Sequence, residues 1–446
     1  MKKLITITIL LIIGQLFSYS LLERNNGNII WNNDARSAGM GNTGIVGGFR
    51  LFDTNLNPAN ISLQKGKFGT QIGVNLVQDN ESRSLPIFNF FDSYTADATY
   101  SSNINIYDHY SFASFYKFSL KNMNISTALS YRPLVDYNTN YVEEVRNDDS
   151  SNLGAYPPII AKNYIDGSGL LSQISFTNGL NYDLNKKYLK SFTFGFSASY
   201  LTGSSKDIRR IEWTDAALAL VNPDTLLNSY HKMKKDYTGY KFDLGLTAKI
   251  SDRFSFGLSF TPKTTLSVDG NFDGAEINDD EYLPSRINLG IQYLPRNIMK
   301  TVFNAEINFT NWSDVNSKYN NTVSYAIGLE HLLYYSLPLR LGFRYDTVNY
   351  LSTYTNSDNE SVTSNDEINI PTFTAGTGFK LMKNMNLDLS VQYSNRSYDA
   401  LDLFPDGYYN HANLWNYIQP TNRGWENPDT VTENFVKLFT SITYKW

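Results

Sequence analysis

The chain has 446 residues, a formal net charge of −5, 18% charged residues, 15% aromatic residues and no cysteine. This weakly acidic charge, without basic runs, excludes nucleic acid as an expected partner. The length permits either two or three soluble domains or one large all-β unit. The aromatic content favours the second, because membrane barrels carry girdles of Tyr, Phe and Trp at both interfaces.

Residues 1–20 predict secretion. They combine a positive start at Lys2 and Lys3 with an almost wholly apolar run from Leu4 to Phe17 and small residues before Leu21, as in a signal peptide. No later segment reaches the roughly 18 to 20 apolar residues that a transmembrane helix needs. If the mature chain sits in a membrane, we therefore expect a closed barrel.

Residues 21–66 show no strand period and contain many small residues. The segment reads D-A-R-S-A-G-M-G-N-T-G from Asp34 to Gly44, and N-P-A follows at Asn57 to Ala59. Glycine at this density permits tight turns and close backbone approach. The residues alone leave two interpretations open, a disordered leader or a compact plug.

Strand patterns fill residues 67–446, and the clearest lies at Ser191 to Tyr200. One register there is aromatic, at Phe192, Phe194 and Phe196, whereas the other holds only Ser, Thr and Gly. A period of two predicts a strand, and this uncharged contrast is expected between lipid and a hydrated lumen. Similar patterns start near Phe68, Tyr110, Met123, Ile174, Phe242, Phe254, Ile287, Phe303, Val323, Leu339, Phe373, Met385 and Val436.

The connections predict the topology. Tiny gaps, such as residues 251–252, alternate with long ones, such as residues 79–108 and 202–236. Outer-membrane barrels have short periplasmic turns and long outer loops, whereas a soluble sandwich or propeller gives no reason for the alternation. The sequence therefore predicts an all-β fold, a transmembrane antiparallel β-barrel of about 14 strands, crossing the outer membrane of a Gram-negative bacterium many times.

Apolar clusters occur in three of the long loops, the last of them between Phe404 and Trp425. The first loop contains Phe88, Phe90 and Phe91, and the third, which we expect to be partly helical, contains Leu218, Leu220, Leu226 and Leu227. Apolar residues in loops that face water indicate either a local core or a docking surface for a hydrophobic ligand. We take the seven residues named in the first and third loops as candidates for a ligand entrance.

The last strand alternates up to the final residue and ends with Tyr444 and Trp446. Resemblance to other outer-membrane barrels implies that the barrel assembly machinery reads such a closing strand. We therefore predict that these two aromatic residues form the membrane-insertion signal.

No catalytic constellation is visible. The four histidines are far apart, no nucleophile motif is present, and the Asp/Asn-rich segments lack the spacing of a calcium loop. We expect no enzyme activity, metal or cofactor. Four charges are candidates for the lumen side of the barrel, and two of them, Arg340 and Arg344, can clamp a carboxylate unless the luminal charges pair with each other or with the plug. The four are Arg286, Arg340, Arg344 and Lys380.

The segment from Asp34 to Gly44, with the following N-P-A, resembles the N-terminal hatch of the FadL superfamily of outer-membrane long-chain fatty-acid transporters. The matching hatch residues are Ser37, Ala38, Gly39, Met40, Gly41, Asn57, Pro58 and Ala59. The resemblance implies a hatch at 21–66 that plugs a barrel at 67–446, ligand entry through outer loops, and lateral exit beside a kinked strand. The third predicted strand, residues 122–132, contains no Gly or Pro to mark that kink.

The same segment, A-R-S-A-G-M-G, also resembles the PorV-like barrels of type IX protein secretion. Two functions are therefore expected. The first is passive uptake of hydrophobic small molecules, above all long-chain fatty acids, with membrane lipid and the ligand as partners. The alternative is an outer-membrane scaffold or shuttle that binds a secretion partner protein.

Overall fold

The structure is a computed structural model that describes residues 27–88, 91, 93–120, 123–146, 159–220, 230–296, 300–333, 337–355, 361–400, 403–404 and 429–446. The predicted signal peptide and residues 21–26 lie outside these ranges. The described chain forms a β-barrel, and the segment 27–66, called the hatch below, lies inside it. The hatch contains β1 (Asn28–Ile29), α1 (Ala35–Ala38) and two 3₁₀ helices, Phe52–Asn55 and Pro58–Leu63.

The wall is one antiparallel sheet whose first and last strands pair, so the barrel is closed. Its segments are β2 (Phe68–Phe88), β3 (Tyr94–Leu120), β4 (Met123–Asp136), β5 (Thr139–Arg146), β6 (Ile159–Lys186), β7 (Leu189–Trp213), β8 (Tyr230–Lys249), β9 (Phe254–Thr261), β10 (Thr264–Phe272), β11 (Ala275–Leu283), β12 (Ser285–Tyr293), β13 (Thr301–Asn311), β14 (Thr322–Leu333), β15 (Leu337–Thr355), β16 (Ser361–Met382), β17 (Met385–Ala400) and β18 (Asp429–Lys445). Two short helices, α2 (Asp215–Leu220) and the 3₁₀ turn Trp312–Asp314, lie between strands.

The seventeen described wall segments make fourteen strands, because three strands are each interrupted once. β4 and β5 both pair with β6, and β9 and β10 both pair with β8. β11 and β12 then pair with β10 and β9, respectively. The predicted antiparallel barrel of about 14 strands is confirmed.

The polarity of the barrel is inverted relative to that of a soluble protein. On β7, Phe194 points outward and is 45% exposed, whereas the neighbouring Thr193 points inward and is 1% exposed. Large apolar side chains face outward on strand after strand, and the buried interior is rich in Ser, Thr, Asn and Gln. An apolar exterior of this kind needs lipid around it, and a closed single-chain barrel with an even number of strands is the outer-membrane type.

Much of each long connection is itself strand. β2 continues to Phe88 and β3 begins at Tyr94, so the segment read as a loop from 79 to 108 is mostly a hairpin. The hairpin of β10 and β11 likewise falls in a segment for which we predicted no strand. The helix expected in the third long loop is present as α2. No helix in the described ranges is long and apolar enough to cross a membrane.

Candidate functional site

The hatch motif folds into two capped helical turns. The Asp34 carboxylate caps α1 by accepting hydrogen bonds from the Arg36 and Ser37 amides, at 2.8 and 3.0 Å. Asn57 caps the second turn by accepting from the Ala59 amide at 3.0 Å, and Pro58 occupies the first helical position. Asp and Asn are favoured before a helix because their side chains accept hydrogen bonds from the free backbone amides of its first turn. Pro is favoured at the first helical position because it has no amide N–H that needs a partner.

The hatch rests directly on the barrel wall along a row of inward-facing glycines, called the glycine belt. A Cβ at Gly342 would overlap with the Gly41 backbone nitrogen, and one at Gly245 would overlap with the Asn57 side chain. No larger residue allows this approach. The belt consists of Gly73, Gly179, Gly195, Gly245, Gly257, Gly290, Gly328, Gly342 and Gly376.

A chain of buried ion pairs fastens the hatch to the wall. Arg36 of the hatch binds Glu330 on β14, and Arg340 on β15 reaches the same carboxylate at 2.7 Å. Arg340 also binds Asp388 on β17 at 2.8 Å, and Asp388 binds Arg50 of the hatch at 2.6 Å. Three arginines thus alternate with two carboxylates, which offsets the cost of burying each charge.

The other predicted luminal charges separate in the structure. Arg340 is already bound to Glu330 and Asp388, and Arg344 binds Asp346 at 2.6 Å. These two arginines therefore do not form the carboxylate clamp considered from the sequence. Lys380 is exposed near the end of β16. Arg286 lines a cavity to which Arg344 also contributes.

This cavity, of about 180 Å³, lies inside the barrel against the start of the hatch. Apolar and aromatic groups of its wall include Trp31, Trp312, Phe435 and Phe439. Its charged lining consists of Arg286, Arg344, Arg396, Lys437 and Asp346, four cations and one carboxylate. The cavity is therefore amphipathic and electropositive. In the part of the chain that the structure describes, no group of three His, Asp or Glu residues is placed to hold a metal.

Arg286 is the cavity cation best placed to meet a ligand. Its side chain is 7% exposed, and its guanidinium carbon lies 4.1 Å from the centroid of the Trp31 ring, a cation–π contact with the hatch. Within the described ranges its Nε has no hydrogen-bond partner. By contrast, Arg344 and Arg396 already face the carboxylates of Asp346 and Glu433. The sequence predicted Arg286 only as one of several luminal charges and offered no signal for Trp31.

The wall beside the cavity contains a seam between β3 and β4. Their backbone ladder runs from Leu120 and Met123 to Phe112 and Tyr131, and no pairing of these two strands is described beyond that point. β4 bends inward there, with Leu134 and Val135 buried, and its free edge pairs with β1 of the hatch instead.

Side chains bridge the seam where the ladder is missing. Asn103 on β3 exchanges hydrogen bonds with the Val142 backbone on β5, at 3.1 and 3.3 Å. Asn105 donates to the Asn140 carbonyl at 3.2 Å. Nearest the cavity, His109 Nε2 lies 2.6 Å from Asp136 Oδ2. The seam is therefore closed by side chains rather than by a sheet ladder.

The bend of β4 corrects the interpretation that the third strand lacks a residue to mark a kink. The strand extends beyond the predicted end at Arg132 to Asp136, and it contains Pro133. The register with β6 shifts between Pro133 and Val135. Proline cannot donate a ladder hydrogen bond, which explains why the irregularity falls here.

The entrance candidates are only partly visible. Phe91 is 87% exposed and Leu218 is half-exposed at α2. The neighbouring Ala217 is buried against Ile160 and Ile211, so this part of the third loop forms a local core. Phe90, Leu226, Leu227 and the side chains of Phe88 and Leu220 lie outside the described residues.

The closing strand ends at the edge of the barrel next to β2. The Trp446 amide donates to the Phe68 carbonyl at 2.9 Å, and the two rings lie 4.3 Å apart. The Tyr444 ring is 4.7 Å from the Trp446 ring. Phe68, Tyr444 and Trp446 thus form one aromatic cluster where the first and last strands of the wall meet. The role of Tyr444 and Trp446 in insertion remains a prediction.

Solved structures share this architecture. A FadL homologue of Pseudomonas aeruginosa matches with a TM-score of 0.61 at 14% identity, covering 94% of this chain and 99% of that chain. The chain has a FadL-type fold. The toluene transporters TbuX of Ralstonia pickettii and TodX of P. putida have this FadL-type fold as well, each with a TM-score of 0.54, at 13% and 14% identity, covering 93% of this chain and 99% of theirs. No protein-family model and no curated protein matches the sequence.

Proposed function

We propose that the chain is an outer-membrane channel for passive uptake of hydrophobic small molecules that carry an anionic head group, with long-chain fatty acids as the leading candidate. The observation that carries the proposal is Arg286, a buried cation that faces an amphipathic cavity and whose Nε has no hydrogen-bond partner among the described residues. The solved structures of similar fold, a FadL homologue and toluene transporters, support a hydrophobic cargo.

The cavity chemistry favours a carboxylate over a neutral hydrocarbon. A neutral ring or chain fills apolar space but leaves a buried guanidinium without an anion, which is costly. A carboxylate on an apolar chain satisfies both parts of the wall, since charge-assisted bonds to Arg are strong and directional. We assign the head group to Arg286 and the apolar part to the aromatic wall around Trp31.

The transport path follows from the same arrangement. Ligand would collect on the apolar outer loops around Phe91, enter the cavity, and leave through the seam between β3 and β4. An apolar path and a concentration gradient suffice for this movement, so no bound energy source is required. Replacement of Phe88, Phe90 and Phe91 together by Ala should lower ligand binding if these residues form the entrance.

The proposal is tested by mass spectrometry of organic extracts from the folded, detergent-purified protein, with an unrelated barrel as control. We expect near-stoichiometric acyl chains or other apolar carboxylates, enriched over the control. A clean extract, together with no binding of added palmitate, would overturn the proposal. The alternative of a PorV-like secretion scaffold would then be pursued through its predicted stable partner protein.

A further inference from the structure

We infer that the buried His109–Asp136 pair is a latch that holds the seam between β3 and β4 shut. The pair spans the seam at 2.6 Å, and the two residues are only 3% and 1% exposed. The inference rests on the proposed function for the exit route through the seam and for the identity of what passes through it. The role of this pair in holding the two strands together is tested below without any ligand.

The seam is weaker than the wall around it. β2 pairs with β3 along almost its whole length, and β6 pairs with β7 from Lys186 to Ala161. Opening either ladder would break many backbone hydrogen bonds at once. At the seam, the described cross-links are instead individual side-chain bonds, each worth little on its own.

The two sides of the seam have different attachments. β4 is fixed to the hatch, because the Ile30 amide donates to the Leu134 carbonyl at 2.8 Å and Arg132 donates to the Ile30 carbonyl at 2.7 Å. β3 is fixed to β2 instead, where His109 lies opposite Asn75. Beyond the ladder of β3 and β4, the bond between His109 and Asp136 therefore joins a segment held by β2 to a segment held by the hatch.

The latch lies at the wall of the cavity, where a bound ligand can contact it. His109 lines the cavity, and Asp136 lies on the inward-bent end of β4. A second hydrogen bond fixes the position of Asp136, because its other oxygen accepts from the Asn138 backbone amide at 2.8 Å. A ligand that reaches this end of the cavity contacts His109 without having to move the hatch anchor at Glu330 and Asp388.

The first test measures opening without any ligand. The chain has no cysteine, so Ser111→Cys, on β3 at the first buried position beyond the ladder, reports access to the seam. In lipid vesicles, we expect Asp136→Asn to raise the labelling rate of this cysteine by a membrane-soluble maleimide about tenfold, the scale of one hydrogen bond to a charged group. His109→Gln should do the same, which guards against a folding defect in one variant.

The matched control is Ser197→Cys, equally buried but flanked by complete ladders with β6 and β8. Its labelling should not change with Asp136→Asn. Equal labelling of Ser111→Cys with and without the latch variants would overturn the inference. That result would remove the latch but not ligand binding in the cavity, whereas absence of bound or added ligand would overturn the function and leave the latch.

The second test locks the seam. Cysteines at His109 and Asp136, joined by a short reversible bis-thiosulfonate, should stop entry of a hydrophobic fluorescent carboxylate into vesicles, and reductant should restore it. The control pair is Ala113→Cys with Ser130→Cys, which face each other within the ladder of β3 and β4. Cross-linking there should have no effect, and equal inhibition by both pairs would contradict a latch at the seam.

Discussion

The Arg36 guanidinium of the hatch donates two hydrogen bonds of 2.9 Å to the two oxygens of Glu330 on β14. This paired geometry is the strongest contact that arginine makes with a carboxylate. Because Arg36 is buried, its guanidinium needs the Glu330 carboxylate as a counter-ion in the folded barrel. Among the described residues, the pair is thus one of two electrostatic links between the hatch and the wall, the other being Arg50 with Asp388.

Glu330→Gln should loosen the hatch, because it leaves the buried guanidiniums of Arg36 and Arg340 without a shared anion. Removing one partner of a buried ion pair costs about 3 to 5 kcal/mol. The expected result is faster proteolysis of residues 27–66 while the barrel keeps its heat-modifiable migration. Glu276→Gln, at an exposed position on β11, is the control. Unchanged proteolysis would show that the anchor is dispensable.

Gly342→Ala should also displace the hatch, but through a steric clash rather than the loss of an ion pair. The added Cβ has no room against the Gly41 backbone, and overpacking of this kind costs roughly 1 to 3 kcal/mol or more. We expect a lower unfolding midpoint in urea and larger single-channel conductance. The neighbouring Leu341→Val, which faces lipid, is the matched control and should leave both values close to those of the natural chain.

Arg286→Gln should separate acids from neutral ligands. Loss of a charge-assisted hydrogen bond should weaken binding of a fatty acid by about tenfold or more, with little change for the alcohol of the same chain length. Isothermal titration of both ligands measures the difference. Lys380→Gln, which changes an exposed lysine outside the cavity, should affect neither. An equal loss for acid and alcohol would mean that Arg286 shapes the cavity without recognising the head group.

A polar substitution should destabilise the barrel on the outer face of β8 and be tolerated on its lumen face. Leu244 is exposed on the apolar exterior, so Leu244→Arg should cost about 2 to 4 kcal/mol if it lies near the bilayer midplane. Thr247 is buried on the lumen side, so Thr247→Ser should be tolerated. Urea-induced unfolding in lipid vesicles measures both, and equal tolerance would contradict the assigned faces.

The sequence predicted the membrane-crossing part of the barrel well, because lipid and lumen impose opposite polarity on alternate residues. On β7 the contrast between Phe194 and Thr193 matches the observed faces. On β10 the sense of the contrast is reversed, because Leu266 and Val268 are buried and Ser267 faces outward. The hairpin of β10 and β11 therefore does not match the apolar-outward pattern that predicts a membrane strand.

The site was less predictable, because its pairs join residues from distant parts of the chain. The hatch motif and Arg286 were visible as local features, whereas their partners depend on barrel closure and strand register. Trp31 against Arg286, and His109 against Asp136, are contacts of this kind. The kink was missed for a simpler reason, since Pro133 lies one residue past the predicted strand end.

The ion-pair chain has a consequence for the order of assembly. Arg36 and Arg50 lie in the hatch, which precedes the wall in the chain, but their carboxylates lie on β14 and β17, near the far end of the chain. During export these arginines must stay hydrated until those strands arrive. The hatch is therefore synthesised before the wall but is among the last segments to reach its final contacts.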